Sequence, residues 1–198
     1  MNPLKEEDRS QTRCGMVAIV GRPNVGKSTL LNRILGQKIS ITSKKPQTTR
    51  HQILGIKTAD QYQILFVDTP GLHSKEKKAL NRALNRASSS ALRDADIIIF
   101  VVDRDHWSEE DDYVLKKISA SPAYKILTIN KTDMLTNKEV ILPVIAKIQS
   151  LNQFAEMVPV SATHGDNLDA LEEILVQAMP VGPFLFPEDQ VTDRSERF

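Results

Sequence analysis

Gly21-Arg22-Pro23-Asn24-Val25-Gly26-Lys27-Ser28 decides the fold. The octapeptide satisfies the spacing G-x-x-x-x-G-K-[ST], and its flanks supply the context that spacing needs. Before it, Cys14 to Gly21 (CGMVAIVG) is a short apolar run ending in glycine, a buried strand feeding a turn. After it, Ser28 to Leu35 places Leu30, Leu31, Ile34 and Leu35 on one helical face, and Gly36 closes the helix. Glycines let backbone N–H groups turn inward around phosphate oxygens, and the helix N-terminus adds its dipole. Lys27 reaches the outer phosphates and the Ser28 hydroxyl ligates magnesium, with Thr29 next to it. The motif predicts nucleoside triphosphate binding and does not choose the base.

Outward from the loop, strands and helices alternate. His51 to Lys57 and Tyr62 to Val67 flank Thr58-Ala59-Asp60-Gln61 as a hairpin. Ala79 to Arg93 carries Leu80, Leu84, Ala87 and Ala91 at helical spacing. Ile97 to Val102 and Lys125 to Ile129 are unalternating runs of branched residues, suited to strands covered on both faces. Between them Ser108 precedes Glu109, Glu110 and Asp111, a helix cap with acids in its first turn, followed by Val114, Leu115 and Ile118 as the buried stripe. Val144 to Leu151 is helical behind Pro143, Met157 to Val160 is a last strand, and Asp166 caps a final helix stopped by Pro180. The alternation predicts a three-layer α/β P-loop fold with a mostly parallel six-stranded sheet and one antiparallel edge strand. Ligands in such sheets bind at the carboxyl ends of the strands.

Composition limits the function classes. The chain has 198 residues, 40% hydrophobic and 26% charged, which fits one globular domain with a short appendage and excludes a mostly disordered chain. Lys and Arg total 26 against 25 Asp and Glu, so no global charge drives it toward DNA, RNA or acidic membranes. Its one cysteine, Cys14, excludes an internal disulfide or a multi-thiolate zinc site and suits a reducing, cytoplasmic compartment. The run Ile97 to Val102 is far too short to span a bilayer, and MNPLKEEDRSQTR has no apolar stretch of a secretory signal. The expected organisation is a polar tail over 1–13, a nucleotide-binding domain over 14–180 and a linker over 181–198. The proline-punctuated PVGPFLFP over 180–187 leads into this linker, which ends as DQVTDRSERF and starts a helix it does not finish.

Three further motifs lie at expected strand ends. Asp68-Thr69-Pro70-Gly71 places Asp68 to hold magnesium through water and the Gly71 N–H to approach a γ-phosphate. Asn130-Lys131-Thr132-Asp133 supplies a carboxylate that accepts two N–H bonds from guanine and rejects adenine, with Asn130 and the Lys131 stem bracing the loop and covering the base. Ser161-Ala162-Thr163 brings the Ala162 N–H toward guanine O6. A P-loop ATPase or kinase is the competing enzyme class, and these last two motifs argue against it.

The ordered set GRPNVGKS, DTPG, NKTD and SAT resembles the translation-factor-class GTPases, and KPQTTRHQILGI, DTPGLH and PFLFPEDQVTDRSERF resemble the Era/TrmE-type family. The resemblance covers nearly the whole chain. It implies a Ras-like G domain that binds GTP or GDP with Mg2+ and hydrolyses GTP as a molecular switch in small ribosomal subunit assembly and rRNA maturation. It implies that a KH-type domain, beginning near Phe198, recognises the rRNA 3′ end. It also implies peripheral association with the cytoplasmic face of the inner membrane, and no DNA partner. Thr49 resembles the switch threonine that ligates magnesium and senses the γ-phosphate, with Thr48 the alternative. Asn24 matches an asparagine that helps hold K+ in related potassium-activated GTPases; its other reading is a local turn. Leu72 stands where other GTPases carry a water-orienting glutamine, so intrinsic turnover is expected to be slow. That leucine keeps open a GTP-binding docking module with negligible turnover, and a different ribosome-assembly GTPase is the other alternative.

Lys75, Lys78, Arg82, Arg86 and Arg93 place basic charge around the helix after DTPG, for RNA phosphates, an acidic partner or a solvated face. His51, His73, His106 and His164 show no metal-ligand spacing, and Trp107 reads as a packed lid over the helix start.

Overall fold

The computed structural model describes residues 11–36, 53–69, 90–104 and 106–187. Six strands form one sheet in the order β2-β3-β1-β4-β5-β6. They are β1 (Arg13–Val20), β2 (Ile53–Ala59), β3 (Tyr62–Val67), β4 (Ile97–Asp103), β5 (Tyr124–Asn130) and β6 (Glu156–Pro159). Among the described strands only β2 runs antiparallel, hairpinned to β3 about Asp60 and Gln61; the other pairings are parallel. The expected mostly parallel sheet with one antiparallel edge strand is therefore observed.

Among the described residues, the helices covering the sheet include α1 (Lys27–Leu35), α2 (Glu109–Ile118), α3 (Ile141–Gln149) and α4 (Leu168–Ala178). Val17, Ile19, Ile64 and Ile99 face one side and pack with Leu30 and Ile34 of α1 and Leu171 and Leu175 of α4. Ala18, Val20, Ile98 and Phe100 face the other and pack with Val114 and Ile118 of α2 and Ile141 and Ile148 of α3. Because successive strand residues point to opposite faces, covering both faces leaves the central strands apolar throughout, which is why IIIFVV does not alternate.

Several boundaries differ from the sequence reading. α3 starts at Ile141 rather than Val144, with Pro143 tolerated in its first turn where its missing N–H has no helical acceptor. The residue before α4 is Asn167, not Asp166; it takes a left-handed backbone (φ 59°), and its side-chain amide donates to the Pro159 carbonyl at 2.8 Å. Of the helix expected over 79–93, residues 90–94 are helical and the rest lie outside the described residues. Residues beside the expected boundaries at 13 and 180 make sheet contacts. Arg13 pairs in β1, and Val181 bridges to it. Residues 181–187 pack on the sheet, with Phe186 buried among Cys14, Ile53, Ile56 and Leu65. Fully buried Gln63 fixes this segment. Its Nε2 donates to the Phe186 carbonyl at 2.8 Å, and its Oε1 accepts the Leu185 and Phe186 N–H groups at 3.0 Å each.

The strand order positions the site. β3, β1, β4 and β5 are neighbouring parallel strands, so the segments leaving them emerge side by side at one edge. Those exits are Asp68 after β3, Gly21 after β1, Asp103 ending β4 and Asn130 ending β5.

Candidate nucleotide-binding site

The loop between β1 and α1 is shaped by three positive-φ residues: Gly21 (147°), Asn24 (64°) and Gly26 (97°). A Cβ on Gly21 would collide with the Val101 carbonyl, and one on Gly26 with the Asn130 side-chain amide. Glycine is therefore required twice, by backbone conformation and by close approach. Asn24 is the non-glycine residue type that best tolerates the left-handed region, so the turn alone accounts for an asparagine there. Its exposed side chain is open to solvent, as are Ser28 and Thr29, while Val25 is buried beneath the loop.

Lys27 folds back over this loop. Its Nζ donates to the Gly21 carbonyl at 2.8 Å and the Arg22 carbonyl at 2.7 Å. Burial, with the nearby Arg22 charge, pushes the ammonium down to about 8. An ammonium this desolvated, held by neutral carbonyls, fits an incoming anion, and phosphate oxygens would supply one. Arg22 does not compete for that anion with its side chain. Its Nε bonds Asp111 Oδ2 at 3.1 Å and its Nη2 lies 3.7 Å from Asp103 Oδ2. Arg22 is one of the sequence-predicted nucleotide-binding residues through its place in the loop backbone, and its guanidinium anchors that loop to β4 and α2.

Asp68 follows β3, and neighbouring Thr69 is buried with its hydroxyl donating to the Ile19 carbonyl at 3.3 Å. Burial raises the Asp68 carboxyl above its ordinary range, partly offset by the Thr69 backbone N–H. A half-buried carboxylate and the Ser28 hydroxyl are hard oxygen donors that suit Mg2+. Thr48, Thr49, Pro70, Gly71 and Leu72 lie outside the described residues, as do Lys75, Lys78, Arg82, Arg86, His51 and His73.

The base loop is the most tightly cross-linked part of the site. Asn130 is 2% exposed. Its Nδ2 donates to the Val25 carbonyl at 2.8 Å, and its Oδ1 accepts the Ala162 N–H at 3.0 Å. Lys131 takes a left-handed backbone (φ 65°), which swings the chain into a short 3-10 turn over Thr132–Met134. Asp133 Oδ1 accepts the Ser161 hydroxyl at 2.6 Å, and Ser161 Oγ accepts the His164 N–H at 3.0 Å. The Ser161 bond, chiefly, holds the Asp133 carboxyl below the usual carboxylate range and keeps it an acceptor. Ala162 N–H, read from sequence as a guanine O6 donor, is engaged by Asn130 here, so a base carbonyl would share it. Thr163 is exposed at the loop surface.

Two carboxylates have a part at the site that the sequence does not show: Asp103 is not singled out by it, and Asp111 reads only as a first-turn acid. Asp103 ends β4 and meets Lys131 and Arg104; Asp111 is fully buried at the start of α2, where its Oδ2 also accepts the Ser108 N–H and hydroxyl at 2.9 Å each. A charge terminating the apolar run IIIFVVD was the available signal for Asp103. Trp107 packs edge-on against Phe100 with ring centroids 5.8 Å apart, as a lid should. Among the described residues, no cluster of His, Cys, Asp or Glu is arranged to hold a metal ion.

Residues 16–131 match the family model described as 50S ribosome-binding GTPase. The chain is 57% identical over 198 residues to the GTPase Era of Pasteurella multocida, and it spans 65% of that protein's length. It is similar to a solved Era in complex with MgGDPNP and nucleotides 1506-1542 of 16S ribosomal RNA, at TM-score 0.76 and 40% identity, covering 90% of this chain and 61% of that one. A variant of Aquifex aeolicus Era bound to GDP.AlF4- is similar at TM-score 0.77 and 40% identity, covering 92% and 62%.

Proposed function

We propose, since this chain belongs to the 50S ribosome-binding GTPase family, that its site binds GTP and GDP with Mg2+ and hydrolyses GTP to GDP and phosphate as an Era-type switch. One observation carries the reading. Asn130 joins the phosphate loop at Val25 to the base loop at Ala162, so the loop that carries a desolvated lysine and the loop that carries an ionised aspartate are held together at one edge of the sheet. The lysine suits phosphates and the aspartate suits the N–H donors of guanine.

The residues divide the work. The N–H groups between Gly21 and Ser28, with the α1 N-terminus, receive phosphate oxygens, and Lys27 exchanges its loop carbonyls for them. Ser28 and Asp68, with Thr49 from the sequence, would hold the magnesium, which when bound neutralises charge on the phosphates. Asp133, oriented by Ser161, selects guanine. Gly71 and Asn24 complete the catalytic set inferred from the resemblance: the Gly71 N–H toward the γ-phosphate, and Asn24 toward a K+ ion that speeds a slow intrinsic reaction.

The proposed partner is the small ribosomal subunit and its rRNA 3′ end. The solved Era complex with 16S ribosomal RNA supports this over the large-subunit wording of the family description, because it is a chain 40% identical to this one rather than a family-wide label. A KH-type domain beyond these residues would make the main RNA contact. A cytoplasmic location with peripheral inner-membrane association is what the resemblance implies; no helix among the described residues is long and apolar enough to cross a membrane.

Single-turnover GTP hydrolysis with Mg2+, in matched K+ and Na+ buffers, tests the proposal. GDP formation, faster in K+, is expected. Tight GTP binding with no GDP formed in either salt would favour the docking-module reading.

A further inference from the structure

We propose that Asp103 is a positioning residue for nucleotide capture, fixing the Lys131 side chain at the base and the P-loop Arg22 through one carboxylate. This rests on the site being a guanine-nucleotide site.

The argument begins with topology. β4 lies between β1, which delivers the P-loop, and β5, which delivers the base loop. The last residue of β4 stands beside both loops, and Asp103 pairs directly with Asn130 in the β4–β5 register. Its Oδ2 receives Lys131 Nζ at 2.8 Å, and Arg22 Nη2 lies 3.7 Å from the same atom. Its Oδ1 accepts the Arg104 N–H at 3.0 Å and Arg104 Nη1 at 3.2 Å, which fixes the plane of the carboxylate. Arg22 continues to Asp111 at 3.1 Å.

A lysine has several rotatable bonds and substantial rotamer entropy to lose when ordered. Lys131 follows Asn130 directly, and a stem laid across a base is effective only if already extended. The bond to Asp103 settles that conformation before the base arrives, so its ordering cost is met in folding rather than in binding. Arg22, on the same carboxylate, holds the P-loop backbone that Lys27 also grips. Asp103 thereby ties the two halves of the nucleotide site together from beneath, separately from the Asn130 link. It does not touch the guanine edge, so it should affect how tightly a purine nucleotide binds and not which purine is chosen.

The test is a double-mutant cycle on the full chain, read by calorimetry with GDP and inosine diphosphate, which lacks the 2-amino group that Asp133 would read. Asp103→Asn should weaken both ligands by about the same factor, roughly tenfold, as one charge-assisted bond is lost. The GDP-to-IDP preference should stay at the wild-type ratio. In a Lys131→Met background, Asp103→Asn should change GDP affinity by less than about threefold, because the close 2.8 Å partner is already gone and only the 3.7 Å Arg22 contact remains to be lost. Undiminished loss in that background, or a changed preference, would overturn the assignment. If Asp103→Asn does not fold, Asp103→Glu, which keeps the charge but displaces it by one methylene, gives the same cycle. A wild-type chain that bound no GDP would overturn the nucleotide reading itself; wild-type binding with an additive cycle would overturn only this inference.

Discussion

Asn130 and Val25 are 105 positions apart in sequence and joined by a 2.8 Å hydrogen bond from the Asn130 amide to the Val25 carbonyl. The same side chain accepts the Ala162 N–H, so one buried amide fixes the distance between the phosphate loop and both base loops. Gly26 has no side chain where that amide passes, which makes the approach sterically possible.

Asn130→Ala should therefore be costly twice. It leaves the Val25 carbonyl and the Ala162 N–H buried without partners, at about 1–3 kcal/mol each. Urea unfolding without nucleotide should show the stability loss, and calorimetry should show GDP binding weakened more than tenfold, roughly one lost charge-free bond plus loop misalignment. Unchanged affinity in the folded fraction would limit Asn130 to a structural role.

Lys27 gives the site a pH signature. Its folded-state value near 8 lies below the ordinary lysine value, so in the nucleotide-free protein the charged form is disfavoured. The penalty is fully present below pH about 8 and fades as pH rises toward about 10.4, where the unfolded chain also loses its proton. Stability of the nucleotide-free chain should therefore gain from this group across that window. Nucleotide affinity should move the other way. Phosphate favours the ammonium, so binding takes up a proton above pH about 8 and weakens by up to about tenfold per pH unit. Lys27→Met should abolish that slope, lose affinity and keep the fold. A slope that persisted in the variant would assign the effect elsewhere.

Gln63 locks residues 185 and 186 to the sheet. Gln63→Leu keeps the volume but strands two N–H groups and a carbonyl, so stability should fall by about 1–3 kcal/mol or more. Hydrogen exchange at the Leu185 and Phe186 amides should accelerate in the variant. Unaltered protection there would mean the segment is held by the apolar contacts of Phe186 alone.

The sequence was most legible where backbone and chemistry make the same demand. Gly21 and Gly26 announce a turn and a phosphate cradle together, and the runs Ile97 to Val102 and Lys125 to Ile129 read as buried parallel strands because both faces are covered. NKTD and SAT were recognisable as motifs, but not the use of their atoms: the Ala162 N–H engages Asn130, a contact set by strand register across the sheet. The direction of the Arg22 side chain was not legible for a similar reason. Its position in the motif says phosphate, whereas Asp103 and Asp111, distant in sequence, turn its guanidinium away. The 181–187 connector was read as a linker because prolines and glycine break periodicity; its anchor, Gln63, is a polar residue inside a strand whose partners lie more than a hundred positions away.

Guanine choice is the central claim, and competitive calorimetry of GDP against ADP, in the wild type and in Asp133→Asn, tests it most directly. Two charge-assisted bonds to the base at about 1.5–3 kcal/mol each imply a GDP preference of about a hundredfold or more. The variant, which replaces one acceptor oxygen with a donor, should lose more than about tenfold in GDP affinity and most of that preference. Equal binding of GDP and ADP by the wild type, or GDP affinity unchanged in Asp133→Asn, would contradict the account.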